Sequence, residues 1–251
     1  MTGMPTRPRL SVNVNKVATI RNARGGDEPS VLEAVEACIA AGAPGITVHP
    51  RADARHITAK DVRAISVALA SRRGGLGIDE QAHAYTGLPE SPDDRRQPIS
   101  RRVRRPAGMA GNLARLHRHQ RALIRLDLVH QREEIVARVP LDVELDGAAA
   151  RWAAAMDADR VELYTEPFAR AFATGRSAGE ESFRKYTAVA TLAHQLGLGV
   201  NAGHDLDLDN LVLFRTLPHL DEVSIGHALI SHALFVGLDR SVREYLTVLG
   251  E

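Results

Sequence analysis

The chain repeatedly changes its hydrophobic period, from two to about 3.6 and back, and this rhythm limits the folds open to it. Residues 10–15 alternate apolar and polar side chains, as a half-buried strand does. Val31, Leu32, Val35, Cys38 and Ile39 then fall on one helical stripe. Ser30 is placed to cap that helix, Glu33 to complete the capping box and Gly42 to end it. A second strand is expected at 45–49, and a helix from a Thr58 cap to about Ser71. The last third repeats the pattern. Strands are expected at 160–164, 198–204 and 222–227, helices at 181–196 and 208–217, and a helical tail to Leu249 broken near Gly237. Such alternation demands parallel βα units. At 251 residues a (β/α)8 barrel, one domain over 1–251, is the leading architecture, with an open doubly wound sheet second. The first strand is not followed by a Gly-x-Gly-x-x-Gly turn, which counts against the second.

Composition narrows the function classes. Hydrophobic residues at 44% and charged residues at 25% exclude a wholly disordered chain. A single cysteine, Cys38, excludes a disulfide framework and a cysteine-rich zinc site. No apolar run approaches the roughly 18 residues of a membrane span, and residues 1–9 lack a signal-peptide pattern, so a soluble cytoplasmic protein with no membrane partner is expected. The net charge of +1 is unevenly spread. Residues 95–138 hold twelve Arg against Asp127, Glu133 and Glu134, a net of +9 that leaves −8 for the rest. That stretch has the charge to meet nucleic-acid phosphates but no aromatic stacking partners, and no nucleic-acid partner is expected. The middle, 74–157, fits neither period well. It offers strand-like runs at 123–129 and 139–145, and 85–106 reads as loop or disorder.

In barrels of this class chemistry gathers where strands end. The polar residues there are Asn13, Asn15 and Lys16 after the first strand, then His49, Arg51 and His56 after the second. Glu162 lies on the sixth strand, His204 ends the seventh, and Gly226-His227 ends the eighth where a helix starts. A lone strand-end His is more often structural than catalytic. Three of them with Glu162, asparagines and arginines on one rim outweigh that reading. Exposed N–H groups at a helix start suit a phosphate. No metal-ligand spacing, nucleophile elbow or Gly-rich phosphate loop is present, so no metal site is expected.

The wording at these positions is more specific. Asn-Val-Asn-Lys-Val-Ala-Thr-Ile-Arg-Asn-Ala-Arg-Gly (13–25), Gly-Ile-Thr-Val-His-Pro-Arg (45–51) with Arg-His-Ile-Thr (55–58), Arg-Val-Glu-Leu-Tyr-Thr (160–165), Val-Asn-Ala-Gly-His-Asp-Leu (200–206) and Ser-Ile-Gly-His-Ala-Leu-Ile (224–230) closely resemble five ordered motifs of the pyridoxine 5′-phosphate synthase family. The resemblance implies a (β/α)8 TIM barrel with extra helices, assembled as a homo-octamer. It implies condensation of 3-amino-2-oxopropyl phosphate (1-amino-acetone 3-phosphate) with 1-deoxy-D-xylulose 5-phosphate to pyridoxine 5′-phosphate, inorganic phosphate and water, with no metal or organic cofactor. By motif position His49 matches a catalytic base, His204 the proton donor and Glu162 the residue that stabilises the transition state. Asn13, Arg24, Gly226 and His227 match the aminoketone-phosphate site, and Asn15, Lys16, Arg51 and His56 the deoxyxylulose-phosphate site. Closing a pyridine ring needs several proton transfers by groups with pKa near 7, which favours His.

The sequence departs from the family in places. Asn15-Lys16 stands where many members have Asp-His, and Asp205, counted with the substrate-binding residues, where many have Gly. The third-strand catalytic Glu is expected near Gly77, with Asp79 and Glu80 out of register. The fourth-strand motif is missing, and 140–144 replaces the fifth. The likeness stops near Gly75 and resumes near Ala158 with almost the expected spacing. The intervening Arg-, Pro-, Gly-, Ala- and His-rich composition is that of a GC-rich gene read out of frame, or of a lineage-specific lid. The expected activity is therefore a synthase, the alternative an impaired phosphate-binding barrel.

Overall fold

The computed structural model describes residues 7–49, 55–72, 123–127, 133–139, 147–155 and 158–250. Strands β1 (Arg9–Asn13), β2 (Gly45–Thr47), β3 (Leu123–Asp127), β4 (Glu133–Val139), β5 (Arg160–Tyr164), β6 (Gly199–Gly203) and β7 (Leu220–Ile225) pair in that order and close into a barrel. Around it lie helices α1 (Asn15–Asn22), α2 (Val31–Ala40), α3 (Ala59–Arg72), α4 (Ala148–Ala155), α5 (Glu166–Thr174), α6 (Arg176–Gln195), α7 (Leu211–Phe214), α8 (His227–Val236) and α9 (Leu238–Leu249).

The strand pairs are parallel except at β3, which runs antiparallel to both β2 and β4. This corrects the expectation of uniformly parallel strands. Only residues 128–132 separate β3 from β4, and a parallel crossover needs a dozen or more. A link that short makes a hairpin. A strand that the sequence did not offer lies at 133–139; the run expected at 139–145 lies, Val139 apart, outside the described residues, as do 74–122 with Asp79, Glu80 and the expected loop at 85–106.

The other elements follow local chemistry. The first strand stops two residues early because the Asn13 side-chain oxygen accepts the Asn15 N–H at 3.0 Å and turns the chain. Asn15 therefore opens a helix rather than ending a strand. Ser30 caps α2 by accepting the Glu33 N–H at 3.2 Å. Gly237, at φ +87°, divides the tail into α8 and α9 as expected. Helix α5 and the first turn of α6 escaped the periodicity reading.

Alternate residues along the strands face opposite ways, and here the two faces differ in chemistry. Leu10, Val12, Ile46, Val161, Leu163, Val200, Ala202, Val223 and Ile225 are buried toward the helices. The opposite face carries Ser11, Thr47, Glu162, Asn201, Glu222 and Ser224. Ser11 and Thr47 hydroxyls share a hydrogen bond of 2.6 Å, and the Ser224 hydroxyl donates to Thr47 at 3.2 Å across β1. The barrel interior among the described residues is thus polar, and the main apolar core is the shell between strands and helices. Within that shell Cys38 is fully buried, and burial pushes its thiol up to about 12, which leaves it protonated and without nucleophilic function.

A partly buried ion pair links α1 to α3. The Arg21 guanidinium donates to both oxygens of Asp61, at 2.9 Å to Oδ2. Asp61 also accepts the Thr58 N–H and hydroxyl, each at 2.8 Å. Burial pushes the Asp61 carboxyl up, but the bonds from Arg21 and Thr58 outweigh it and hold its pKa below the ordinary value. The folded state gains from this above the usual carboxylate range, and the gain is lost as pH falls through the depressed pKa. Asp61→Asn leaves the partly buried guanidinium without its counter-charge. The expected cost is about 3 kcal/mol of unfolding free energy, measured by urea titration at neutral pH, with the gap between variant and parent narrowing in acid. No helix among the described residues is long and apolar enough to cross a membrane.

Candidate active site

A cavity of about 440 Å³ opens at the C-terminal ends of the strands. Asn13, Asn15, Lys16, His49, His56, Glu162, His204, Asp205, Gly226 and His227 all line it. The structure thus gathers most of the sequence-predicted residues from five separate segments. Arg24 is described but does not line the cavity. It is exposed in the turn after α1, two residues past the helix end. Arg51 lies outside the described residues.

Each side of the cavity is fixed by a local device. On the β1–β2 side the Asn15 side-chain oxygen accepts the His49 N–H at 3.0 Å. An amide oxygen and a carboxylate oxygen both accept a hydrogen bond, so Asn15 fills this role as Asp would. The rings of His49 and His56 lie 5.8 Å apart, and the Asn22 amide donates to the His56 carbonyl at 2.9 Å. On the β5–β6 side Glu162 is buried, with Oε1 at 3.9 Å from His204 Nδ1. The ring of Tyr164 lies 4.6 Å from that of His204, tilted by 54°. His204 and Asp205 both take positive φ, +91° and +56°, a conformation that non-glycine residues hold only when their surroundings impose it. The Asn210 amide holds the Asp205 carbonyl at 3.0 Å, and Asp207 binds the N–H groups of Asp209 and Asn210. On the β7–α8 side Gly226 precedes the first turn of α8, whose N–H groups lack intrahelical partners by construction.

Two glycines are required by close approach. A Cβ on Gly226 would lie 3.1 to 3.2 Å from atoms of Asn13, and one on Gly203 would lie 3.0 Å from the Ser224 carbonyl oxygen and 3.4 Å from Glu162 Oε1. Gly203→Ala therefore crowds the Ser224 carbonyl and disturbs the end of β6 that carries His204. The expected result is a kcat lowered by about tenfold in a folded protein, read by steady-state kinetics beside a thermal melt.

Sequence reasoning missed Thr19, Ser224 and Ala228 on the cavity wall, and the packing of Tyr164 and Thr165 against His204. Two of these carried a signal. Thr19 is one helical turn after Asn15, and Ser224 shares its strand face with Glu222. Among the described residues no three His, Cys, Asp or Glu side chains are grouped to hold a metal ion.

Comparison with known proteins matches residues 10–76 and 115–251 to the family described as pyridoxal phosphate biosynthesis protein PdxJ. The chain belongs to this family. It is 44% identical to the pyridoxine 5′-phosphate synthase of Porphyromonas gingivalis over 94% of this chain and 97% of that protein. The enzymes of that name from Leptospira biflexa and Xanthomonas axonopodis pv. citri are 40% and 41% identical, each over 96% of both chains. The internal stretch outside the PdxJ family match, 77–114, is narrower than the 74–157 that the motifs alone set apart. Helix α4, β3 and β4 lie inside the match.

Proposed function

We propose that this chain is a pyridoxine 5′-phosphate synthase, a single TIM-barrel domain that condenses 3-amino-2-oxopropyl phosphate with 1-deoxy-D-xylulose 5-phosphate. The observation that carries the reading is the convergence of His49, Glu162 and His204 on one cavity beside a helix N-terminus. The reaction needs a base, a proton donor and a group that steadies developing positive charge. His49 is the base, His204 the proton donor and Glu162 the stabilising carboxylate. Glu162 suits its role because a buried anion acts in a low-dielectric setting, where its field is strong. Asn13, Gly226 and His227 hold the aminoketone phosphate, with the first-turn amides of α8 donating to its oxygens. Asn15, Lys16, His56 and Arg51 hold the deoxyxylulose phosphate, and Asp205 faces the substrates across the cavity. The resemblance implies no metal or organic cofactor. It also implies a homo-octamer; the exposed apolar side chains Leu234 and Phe235 at the end of α8 suit a contact between copies, and light scattering tests the assembly.

The decisive experiment supplies purified protein with both substrates and measures pyridoxine 5′-phosphate and released phosphate. Stoichiometric formation of both supports the reading. Binding of either phosphate substrate without turnover identifies an impaired phosphate-binding barrel instead.

A further inference from the structure

Thr165 stands at the N-cap of α5, where a threonine hydroxyl ordinarily bonds the first turn of its own helix. Here no side-chain cap bond forms. The side chain is fully buried, and its hydroxyl donates instead to the carbonyl of His204. The Thr165 N–H donates to the neighbouring Gly203 carbonyl at 2.9 Å. One residue thus grips both carbonyls that flank the His204 N–H and Cα. His204 is also the residue held at φ +91°.

From this geometry we infer that Thr165 is a positioning residue for His204, holding its backbone in the left-handed region so that the imidazole sits between the Tyr164 ring and the Glu162 carboxylate. The inference rests on the proposed role of His204 and deepens it. The end of β5 then acts as a unit. Glu162 meets the imidazole edge, Tyr164 its neighbouring ring and Thr165 its main chain. A side-chain helix cap is given up for this. A chain selected only for stability would keep it.

Thr165→Val removes the hydroxyl and keeps the shape, whereas Thr165→Ser keeps the hydroxyl and removes the methyl. The expected result is a kcat lowered 10- to 10²-fold in the Val variant, on the order of what a displaced catalytic group costs. KM for both substrates stays near the parent value, and the Ser variant recovers most of the rate. Should Val not fold at this buried site, Thr165→Ala against Thr165→Ser makes the same comparison. In 15N-histidine-labelled protein, the His204 ring signals, assigned by their loss in His204→Asn, shift in the Val or Ala variant and not in Ser. That readout needs no turnover. An unchanged kcat and ring signal, or a Ser variant as slow as Val, overturns the inference. So does a raised KM at unchanged kcat. His204→Asn in the same assay separates the two levels: parental turnover there refutes the role of His204 itself, whereas an inactive His204→Asn beside a fully active Thr165→Val refutes the role of Thr165 alone.

Discussion

Glu162→Gln is expected to lower kcat by 10²- to 10⁴-fold while leaving the melting temperature unchanged or slightly raised. The range is that of a positioned group that assists a charge-developing step. Glu162 sits on the inward face of β5, in register with Asn201 of β6, and is nearly without solvent contact. A buried carboxylate carries a desolvation cost that its partners must offset. Gln has the same shape and fills the same space, so packing is retained while the charge goes. One partner that loses by the change is His204, with Nδ1 at 3.9 Å from Oε1. A neutral amide gives an imidazolium there much less support. Opposite movements of rate and stability identify Glu162 as functional rather than structural. Parallel losses of both identify it as part of the barrel's internal polar framework, and the assignment to catalysis fails. The measurement is a steady-state assay paired with a calorimetric scan on the same preparation.

The parts of the fold that the sequence made legible are those where local pattern and tertiary environment agree. The stripe from Val31 to Ile39 packs inward as its period predicts, and Ser30 caps it. The βα rhythm of the last third returns as β5, β6 and β7 with their helices. The failures have physical causes. Alternation in 10–15 continues past the real end of β1, because Val14 is buried like a strand residue although Asn13 has already turned the chain. Periodicity cannot reveal strand direction, so the reversal of β3 was hidden. It follows from the length of the 128–132 link. Most of the site could be read because strand ends carry it. Thr165 could not, since a threonine before a helix reads as an ordinary cap, and only its hydrogen bond to the His204 carbonyl marks it out. Arg24 failed to meet the cavity for a simpler reason: sequence proximity to Asn13 and Lys16 says nothing about the side of α1 on which the following turn lies.

His49→Asn is expected to remove turnover to the same degree, 10²- to 10⁴-fold, while His56→Asn acts mainly on the KM for 1-deoxy-D-xylulose 5-phosphate. The two rings are neighbours at 5.8 Å and line the same wall, so proximity to the cavity cannot separate their roles. Their supports differ. The His49 main chain is held by Asn15, which spans from the β1 turn to the end of β2, two elements of the barrel itself. A group carried on a strand end is placed to the precision a proton transfer needs. His56 sits in the segment leading into α3, held by Asn22 through its carbonyl and followed by the Thr58–Asp61 cap that Arg21 secures. Such a segment can bind a substrate group well, and binding the ground and transition states alike moves KM rather than kcat. Asn at either position keeps a hydrogen-bonding side chain of smaller size and removes only the titrating ring. Equal losses of kcat in both variants contradict this division and make the pair a single proton-transfer unit. The expected split assigns the base to the strand end and substrate binding to the loop, and it makes Asn15→Ala the next informative variant: losing its hold on His49 then lowers kcat and not substrate affinity.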